Sequence, residues 1–204
     1  MSPDPVSRER VTGAILAGGA ARRMQGVDKG LVMLAGKPMV QHVLERLRPQ
    51  TATVIINANR SLDRYAAFGC PVISDAMAGY QGPLAGMAGC LAAAATDFIV
   101  TAPCDAPALP DDLVPRLAAA LYAKGTSISA AHSGERLQPV FCMLHRDLLD
   151  SLREFLGRGE RKIDRWFEEQ GYAVADFSDV PEAFVNVNTP GDAADLEGRL
   201  AGGV

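Results

Sequence analysis

Glycines at 18 and 19, arginines at 22 and 23 and a lysine at 29 fall within a single short stretch, ILAGGAARRMQGVDKG. Adjacent glycines let the backbone bend and approach a ligand closely, and their N–H groups donate to phosphate oxygens. Arginine adds a forked donor pair and lysine a point charge, both suited to neutralising a polyphosphate. From Gly18 to Lys37 four cations, Arg22, Arg23, Lys29 and Lys37, stand against the one carboxylate of Asp28. The chain as a whole carries a formal net charge of −4. A local cationic spot on an acidic protein points to a compact anionic ligand, and the acidic balance argues against a protein that coats nucleic acid.

A triphosphate calls for a metal that offsets its charge, and magnesium favours one or two carboxylates. Asp105, in VTAPCDAP, and Asp75, in VISDAMAG, both follow apolar runs that read as strands. Either could instead serve a turn or a helix cap. Asn57, at the end of ATVIINA, joins them as a donor and acceptor for a base or ribose. Neither common nucleotide motif is present. No G-x-G-x-x-G occurs, and the nearest approach to a Walker loop, Gly30 to Lys37, has five residues between its glycines and Pro38 where serine or threonine belongs.

Strand and helix patterns alternate around these residues. TGAILAG, ATVIINA, PVISD and DFIVTAP read as buried strands, and the glycine loop follows the first of them. PMVQHVLERLRP, SLDRYAAFG, PLAGMAGCLAAAA and PDDLVPRLAAALYAKG read as the intervening helices. Pro38 suits the first turn of its helix, acids occupy the first turn of the last one, and Pro115 delays or bends that helix. In open α/β sheets ligands bind beyond the carboxyl ends of the strands, where Gly18, Asn57, Asp75 and Asp105 all fall. The later sequence differs. TSISAAH and LQPVFCML flank a polar turn as an antiparallel pair. RDLLDSLREFLGRG and RKIDRWFEEQG are helical, YAVADF and FVNVN are strands, and TPGDAADLEGRL closes as a helix. The expectation is a three-layer, Rossmann-like α/β fold, with a mostly parallel sheet, helices on both faces and a late antiparallel excursion. Residues 1–11 read as a disordered lead-in and 12–200 as one domain.

The 204 residues, 48% of them apolar, suffice for a core without disulfides. Cys70, Cys90, Cys104 and Cys142 form no C-x-x-C pair, and the three histidines are scattered, so free buried thiols in a reducing cytosol are expected. MSPDPVSRER has no apolar run of the signal-peptide kind, and PLAGMAGCLAAAA is too short for a bilayer. A cytoplasmic protein with no membrane segment follows from that reading.

With these residues in view, the chain resembles the molybdenum cofactor guanylyltransferase family of the nucleotidyltransferase superfamily. The resemblance runs from about Thr12 to Leu200 and rests on LAGGAARRMQGVDKGL, GKPMVQHV, VIINANR, GPLAGM, PCDAP, GERLQPVF and FVNVNTP. It implies transfer of GMP from GTP to the phosphate of molybdopterin, with release of pyrophosphate. It assigns Leu16, Ala17, Gly18, Gly19, Lys29, Asn57, Asp75 and Asp105 to GTP, and Asp105 to Mg²⁺. Lys29, Asp105 and Arg23 carry the catalytic expectation. Arg22, Gly82, Pro83, Asn186 and Asn188 carry the molybdopterin expectation, with the last two on one side of a strand. Whether Asp75 meets base or ribose, and which arginine faces the phosphates, stay open. The family's partners would be a molybdenum insertase, a GTP-binding accessory protein and apo-molybdoenzymes, with no nucleic acid and no membrane. Two alternatives stand beside this reading. A cytidylyltransferase of the same superfamily typically carries LAAG where this chain has LAGG, and a non-catalytic nucleotide-binding module would have no need of Asp105.

Overall fold

A computed structural model of the chain describes residues 6–18, 28–75, 82–187, 191–194, 196 and 198. Its centre is a seven-stranded sheet. In chain order the elements are β1 (Val11–Leu16), β2 (Met33–Leu34), β3 (Lys37–Pro38), α1 (Met39–Leu47), β4 (Thr53–Asn57), α2 (Leu62–Ala66), β5 (Val72–Ile73), α3 (Pro83–Ala93) and β6 (Phe98–Pro103). Then follow α4 (Leu113–Lys124), β7 (Ile128–His132), β8 (Leu137–His145), α5 (Leu149–Gly157), α6 (Ile163–Gln170) and β9 (Ala173–Asp176). The order across the sheet is β5-β4-β1-β6-β8-β7-β9. β1 pairs in parallel with β4 and β6, β4 with β5, and β7 with β9; β8 alone runs antiparallel, between β6 and β7. The late antiparallel excursion read from the sequence is therefore present, as β8 with its neighbours. It is a reversed strand set within the sheet.

Alternation along the strands sends side chains to two cores, one per face. Val11 and Ile15 of β1, with Val54 and Ile56 of β4, pack against α1 and α4. Ala14, Ile55 and Ile99 point the other way, toward Leu84, Met87 and Leu91 of α3 and Leu152 and Phe155 of α5. Trp166 and Phe167 of α6 are fully buried in that second core, as the helical spacing suggests, and the Trp166 indole N–H donates to Ser151 Oγ. The three-layer α/β fold is thus the observed one.

Four local expectations change. Residues 6–11 belong to the expected lead-in, yet Val6 is buried, Arg8–Arg10 form a 3-10 turn and Val11 opens β1. A small β2–β3 hairpin turns at Ala35 and Gly36, both at positive φ, and Pro38 ends it as the residue capping α1. Asp111 and Asp112 lie before α4 and not in its first turn; Asp112 is its N-cap, and the Val114 N–H is capped by the buried side chain of Gln50. Residues 184–187 of FVNVN are not a strand: Pro181–Phe184 form a 3-10 turn, and the Val187 N–H bonds to the carbonyl of Asp105 at 2.8 Å. Asn186 therefore sits on an irregular segment and is exposed, and its expected strand partner Asn188 lies outside the described residues. The closing helix is present over residues 191–194.

Candidate active site

The chain leaves β1 toward α1 and β4 on one side, while β6 leads toward β8 and β7 on the other. β1 and β6 are neighbours, so their carboxyl ends flank the topological switch point, where open α/β sheets bind ligands. Backbone bonds hold the three strand ends together there. The Cys104 N–H donates to Leu16 O at 3.1 Å and the Ala17 N–H to Asn57 O at 2.8 Å. Leu16, Ala17 and Gly18 thus come up between the end of β4, with Asn57, and the end of β6, with Asp105. Gly19, Arg22 and Arg23 lie outside the described residues.

At the β6 side the Lys29 ammonium donates to Asp105 Oδ2 at 3.1 Å. Both side chains are largely withdrawn from solvent, 27% and 11% exposed. Lys29 opens a 3-10 turn, Lys29–Leu31, that is pressed onto the end of β6. A Cβ on Gly30 would lie 2.6 Å from the Tyr65 hydroxyl and 3.2 Å from Cys104 Cβ, so only glycine allows this approach. The turn is anchored by a neighbour that sequence reasoning missed. Asp28 is buried, accepts a hydrogen bond from the Tyr65 hydroxyl and lies 3.5 Å from Arg60 Nε. Burial, reinforced by Cys104 and Asp28, pushes the Tyr65 hydroxyl well above its ordinary pKa, so it stays a proton donor to Asp28.

At the β4 side the Asp75 carboxylate is clasped by two amides. Asn57 Nδ2 donates to Oδ1 at 2.9 Å and Asn59 Nδ2 to Oδ2 at 2.8 Å. The Asp75 N–H returns a bond to Asn59 Oδ1 at 2.9 Å. Asn57 also donates to Ile73 O at 3.4 Å, so both its amide hydrogens are committed within the protein. A carboxylate accepts about four hydrogen bonds, so Asp75 keeps acceptor capacity for a ligand. The first turn of α3 closes over this group. A Cβ on Gly86 would stand 2.4 Å from Asn57 Oδ1, which makes Gly86 a packing glycine. Gly82 caps α3 at φ 78° with Pro83 at its first turn, and Gly86 at the end of that turn lies against Asn57.

The same strand end holds a thiol, Cys104, that has no part in the chemistry. It is buried, and burial beside Asp105 and Asp28 raises its pKa far above neutrality. Cys90 and Cys142 are buried as well, and burial pushes the Cys142 thiol up to about 12. No reactive thiolate forms at any of the three. Among the described residues no three His, Cys, Asp or Glu side chains cluster to hold a metal, and no helix is long and apolar enough to cross a membrane.

The residues therefore separate into a cation–carboxylate pair and an amide-clasped carboxylate, on either side of a glycine-ended strand. Comparison with known proteins gives that arrangement its family. The family model described as a MobA-like NTP transferase domain matches residues 13–174. The chain belongs to this family. The molybdenum cofactor guanylyltransferase of Shewanella pealeana is 48% identical over 192 residues, which cover 94% of this chain and 96% of that protein. The protein of the same name from Shewanella sp. strain MR-4 is 51% identical over 181 residues, 89% of this chain and 92% of that one. Among solved structures, molybdopterin-guanine dinucleotide biosynthesis protein A from Archaeoglobus fulgidus superposes with a TM-score of 0.77 at 22% identity, over 94% of this chain and all of that one. A CMP:2-keto-3-deoxy-manno-octonic acid synthetase in complex with CTP superposes at 0.72 with 14% identity, over 95% of this chain and 99% of that one. These two likenesses concern the fold. As a MobA-like NTP transferase, the chain has Leu16, Ala17, Gly18, Lys29, Asn57, Asp75 and Asp105 together at one end of the sheet, and Val187, the neighbour of Asn186, is bonded to that end through Asp105 O.

Proposed function

We propose that the chain transfers the GMP moiety of GTP to the phosphate of molybdopterin, releasing pyrophosphate and forming the guanine dinucleotide form of the molybdenum cofactor. The observation that carries this reading is the Lys29–Asp105 pair at the switch point beside the end of β1, in a chain nearly half of whose residues match proteins named for that activity. The triphosphate is bound by Leu16, Ala17 and Gly18, joined by Gly19. Lys29 exchanges its carboxylate partner for phosphate oxygens. Asn57 and Asp75 meet the guanosine. Arg23 assists at the phosphates, and Arg22, Gly82, Pro83, Asn186 and Asn188 form the molybdopterin side, where the start of α3 favours an anion.

The residues present suit a magnesium ion. Asp105 aims a carboxylate oxygen at a position that already holds positive charge, the Lys29 ammonium. With one carboxylate from the protein, the remaining positions fall to phosphate oxygens and water, as magnesium prefers. Bound at Asp105, the ion would neutralise charge on the phosphates. The reaction is an in-line displacement: a molybdopterin phosphate oxygen bonds to the α-phosphorus as the bond to the β-phosphate oxygen breaks and pyrophosphate leaves. The attacking oxygen is already ionised at neutral pH, so no strong side-chain base and no covalent enzyme intermediate are needed. Catalysis by the chain's own residues is positioning and charge stabilisation. A cytoplasmic location, with a molybdenum insertase, a GTP-binding accessory protein and apo-molybdoenzymes as partners, completes the proposal.

The test is pyrophosphate release by the purified chain with a molybdopterin source, GTP or CTP, and magnesium present or absent. Release that needs GTP, pterin and magnesium together is the expected result. Release with CTP in preference to GTP would make the chain a cytidylyltransferase, and release with neither nucleotide would leave only a binding module.

A further inference from the structure

Asn59 is not among the residues expected at the site, yet on the β4 side it makes three hydrogen bonds there, as many as Asp75. Its Nδ2 donates to Asp75 Oδ2 at 2.8 Å and, more weakly, to Gly18 O at 3.4 Å, while its Oδ1 accepts from the Asp75 N–H at 2.9 Å. An amide side chain has two donor hydrogens, and both are used inside the protein. Asn59 therefore has no hydrogen left for a ligand. What it does have is a hold on two chain segments that the sequence keeps far apart, at Gly18 just past β1 and at Asp75 just past β5.

We infer that Asn59 is a positioning residue for nucleotide recognition: it fixes the Asp75 carboxylate in the plane from which that group accepts hydrogen bonds from the nucleoside, and ties this plane to the start of the phosphate bend at Gly18. The inference rests on the assignment of Asp75 to the guanosine. The physical reason is geometric. A carboxylate on a short side chain turns about its terminal torsion over a broad range unless both oxygens are held. Asn57 holds Oδ1 and Asn59 holds Oδ2, so the carboxylate has one orientation before any ligand arrives. Preorganisation of this kind appears as affinity, because the ordering cost is met before binding. The bond to Gly18 O adds a second consequence: the acceptor for the nucleoside and the bend for its phosphates move as one body.

Equilibrium binding of GTP by calorimetry tests this, on the full chain and on Asn59→Ala, Asp75→Ala and the double variant, alongside turnover with the molybdopterin source. Asn59→Ala is expected to weaken GTP about tenfold, the worth of one hydrogen bond to a charged group. Its KM for GTP should rise by a similar factor while kcat at saturating GTP changes less than threefold or so, a split that general loosening of the fold would not give. In the Asp75→Ala background the same substitution should cost under about twofold, because its effect runs through Asp75. Asn59→Asp, of equal size, keeps the acceptor for the Asp75 N–H but sets two carboxylates against each other, and should weaken GTP more than alanine does. That variant serves if Asn59→Ala fails to fold. If Asp75→Ala weakens GTP while neither Asn59 variant does, or if the two penalties add in full, Asn59 is not a positioning residue and the inference falls. If Asp75→Ala binds GTP as the parent does, the assignment of Asp75 falls, and the inference with it.

Discussion

Two carboxylates end neighbouring regions of one sheet, and they are held in opposite ways. Asp75 is clasped by the neutral amides of Asn57 and Asn59, one to each oxygen. Asp105 is paired with a cation, the Lys29 ammonium, through Oδ2. Neutral amides fix a carboxylate while leaving its charge and part of its acceptor capacity exposed to a ligand. A cationic partner satisfies the charge and must be displaced, or share, when another cation arrives. The Asp75 side is thus built as a ready-made surface, and the Asp105 side as a contact to be exchanged. A largely desolvated pair broken by loss of one member costs more than an exposed pair, so in the proposed function the exchange is easiest where phosphate would take up Lys29 as a metal takes up Asp105.

The largest effect expected from breaking this contrast is at Asp105. Asp105→Ala should lower kcat at least a hundredfold, the range for loss of a principal electrostatic stabiliser, with the circular dichroism of the parent and a thermal midpoint lowered by the loss of the Lys29 partner. A comparable rate with that variant would remove the metal role and make the two sides equivalent. Lys29→Met sharpens the contrast further, since it should move two quantities in opposite directions. GTP binding should weaken about tenfold as a phosphate contact is lost. In the absence of nucleotide, Mn²⁺ used as a spectroscopic substitute should bind at least about fivefold more tightly, a change of about 1 kcal/mol, because the ammonium that competes for Asp105 has gone. Unchanged Mn²⁺ affinity would show that Lys29 and a divalent cation do not compete at Asp105.

The contrast also explains what the sequence could reveal. β1, β4 and β6 are apolar runs long enough to display strand character, and the turn glycines and strand-end carboxylates follow them directly. The Asp105, Asp75 and Asn57 positions were therefore legible as neighbours on one rim. The β2–β3 hairpin was not, since two-residue strands carry no alternation to detect. FVNVN misled for the opposite reason. It alternates, but Val185 is exposed and Val187 is buried, because the segment curls out of a 3-10 turn and pairs with Asp105 O instead of a strand. The supporting residues were hidden by distance along the chain. Asn59 meets Asp75, Tyr65 meets Asp28, and Gln50 caps α4, each across 16 to 64 positions. The one local signal was the second asparagine of NANR, two residues after Asn57 and so displaced just beyond the strand end.

The smallest expected effect bears on the difference between LAGG and LAAG. An alanine at position 18 is sterically allowed by its own backbone, since Gly18 does not adopt a positive φ. Its methyl carbon would nonetheless stand 3.0 Å from both Asn57 Oδ1 and Asn59 Nδ2. That is closer than ordinary van der Waals contact between carbon and a polar atom, so the two amides must yield by a few tenths of an ångström. They are the same two amides that hold Asp75, and a small displacement there tilts the acceptor plane without removing any hydrogen bond. Gly18→Ala should therefore weaken GTP by about threefold to fivefold, a fraction of one hydrogen bond, and leave the Mn²⁺ affinity of the Asp105 side where it was. Loss at both carboxylates alike would mean that the methyl disturbs the phosphate bend itself, and the separation of the site into a fixed half and an exchanging half would fail.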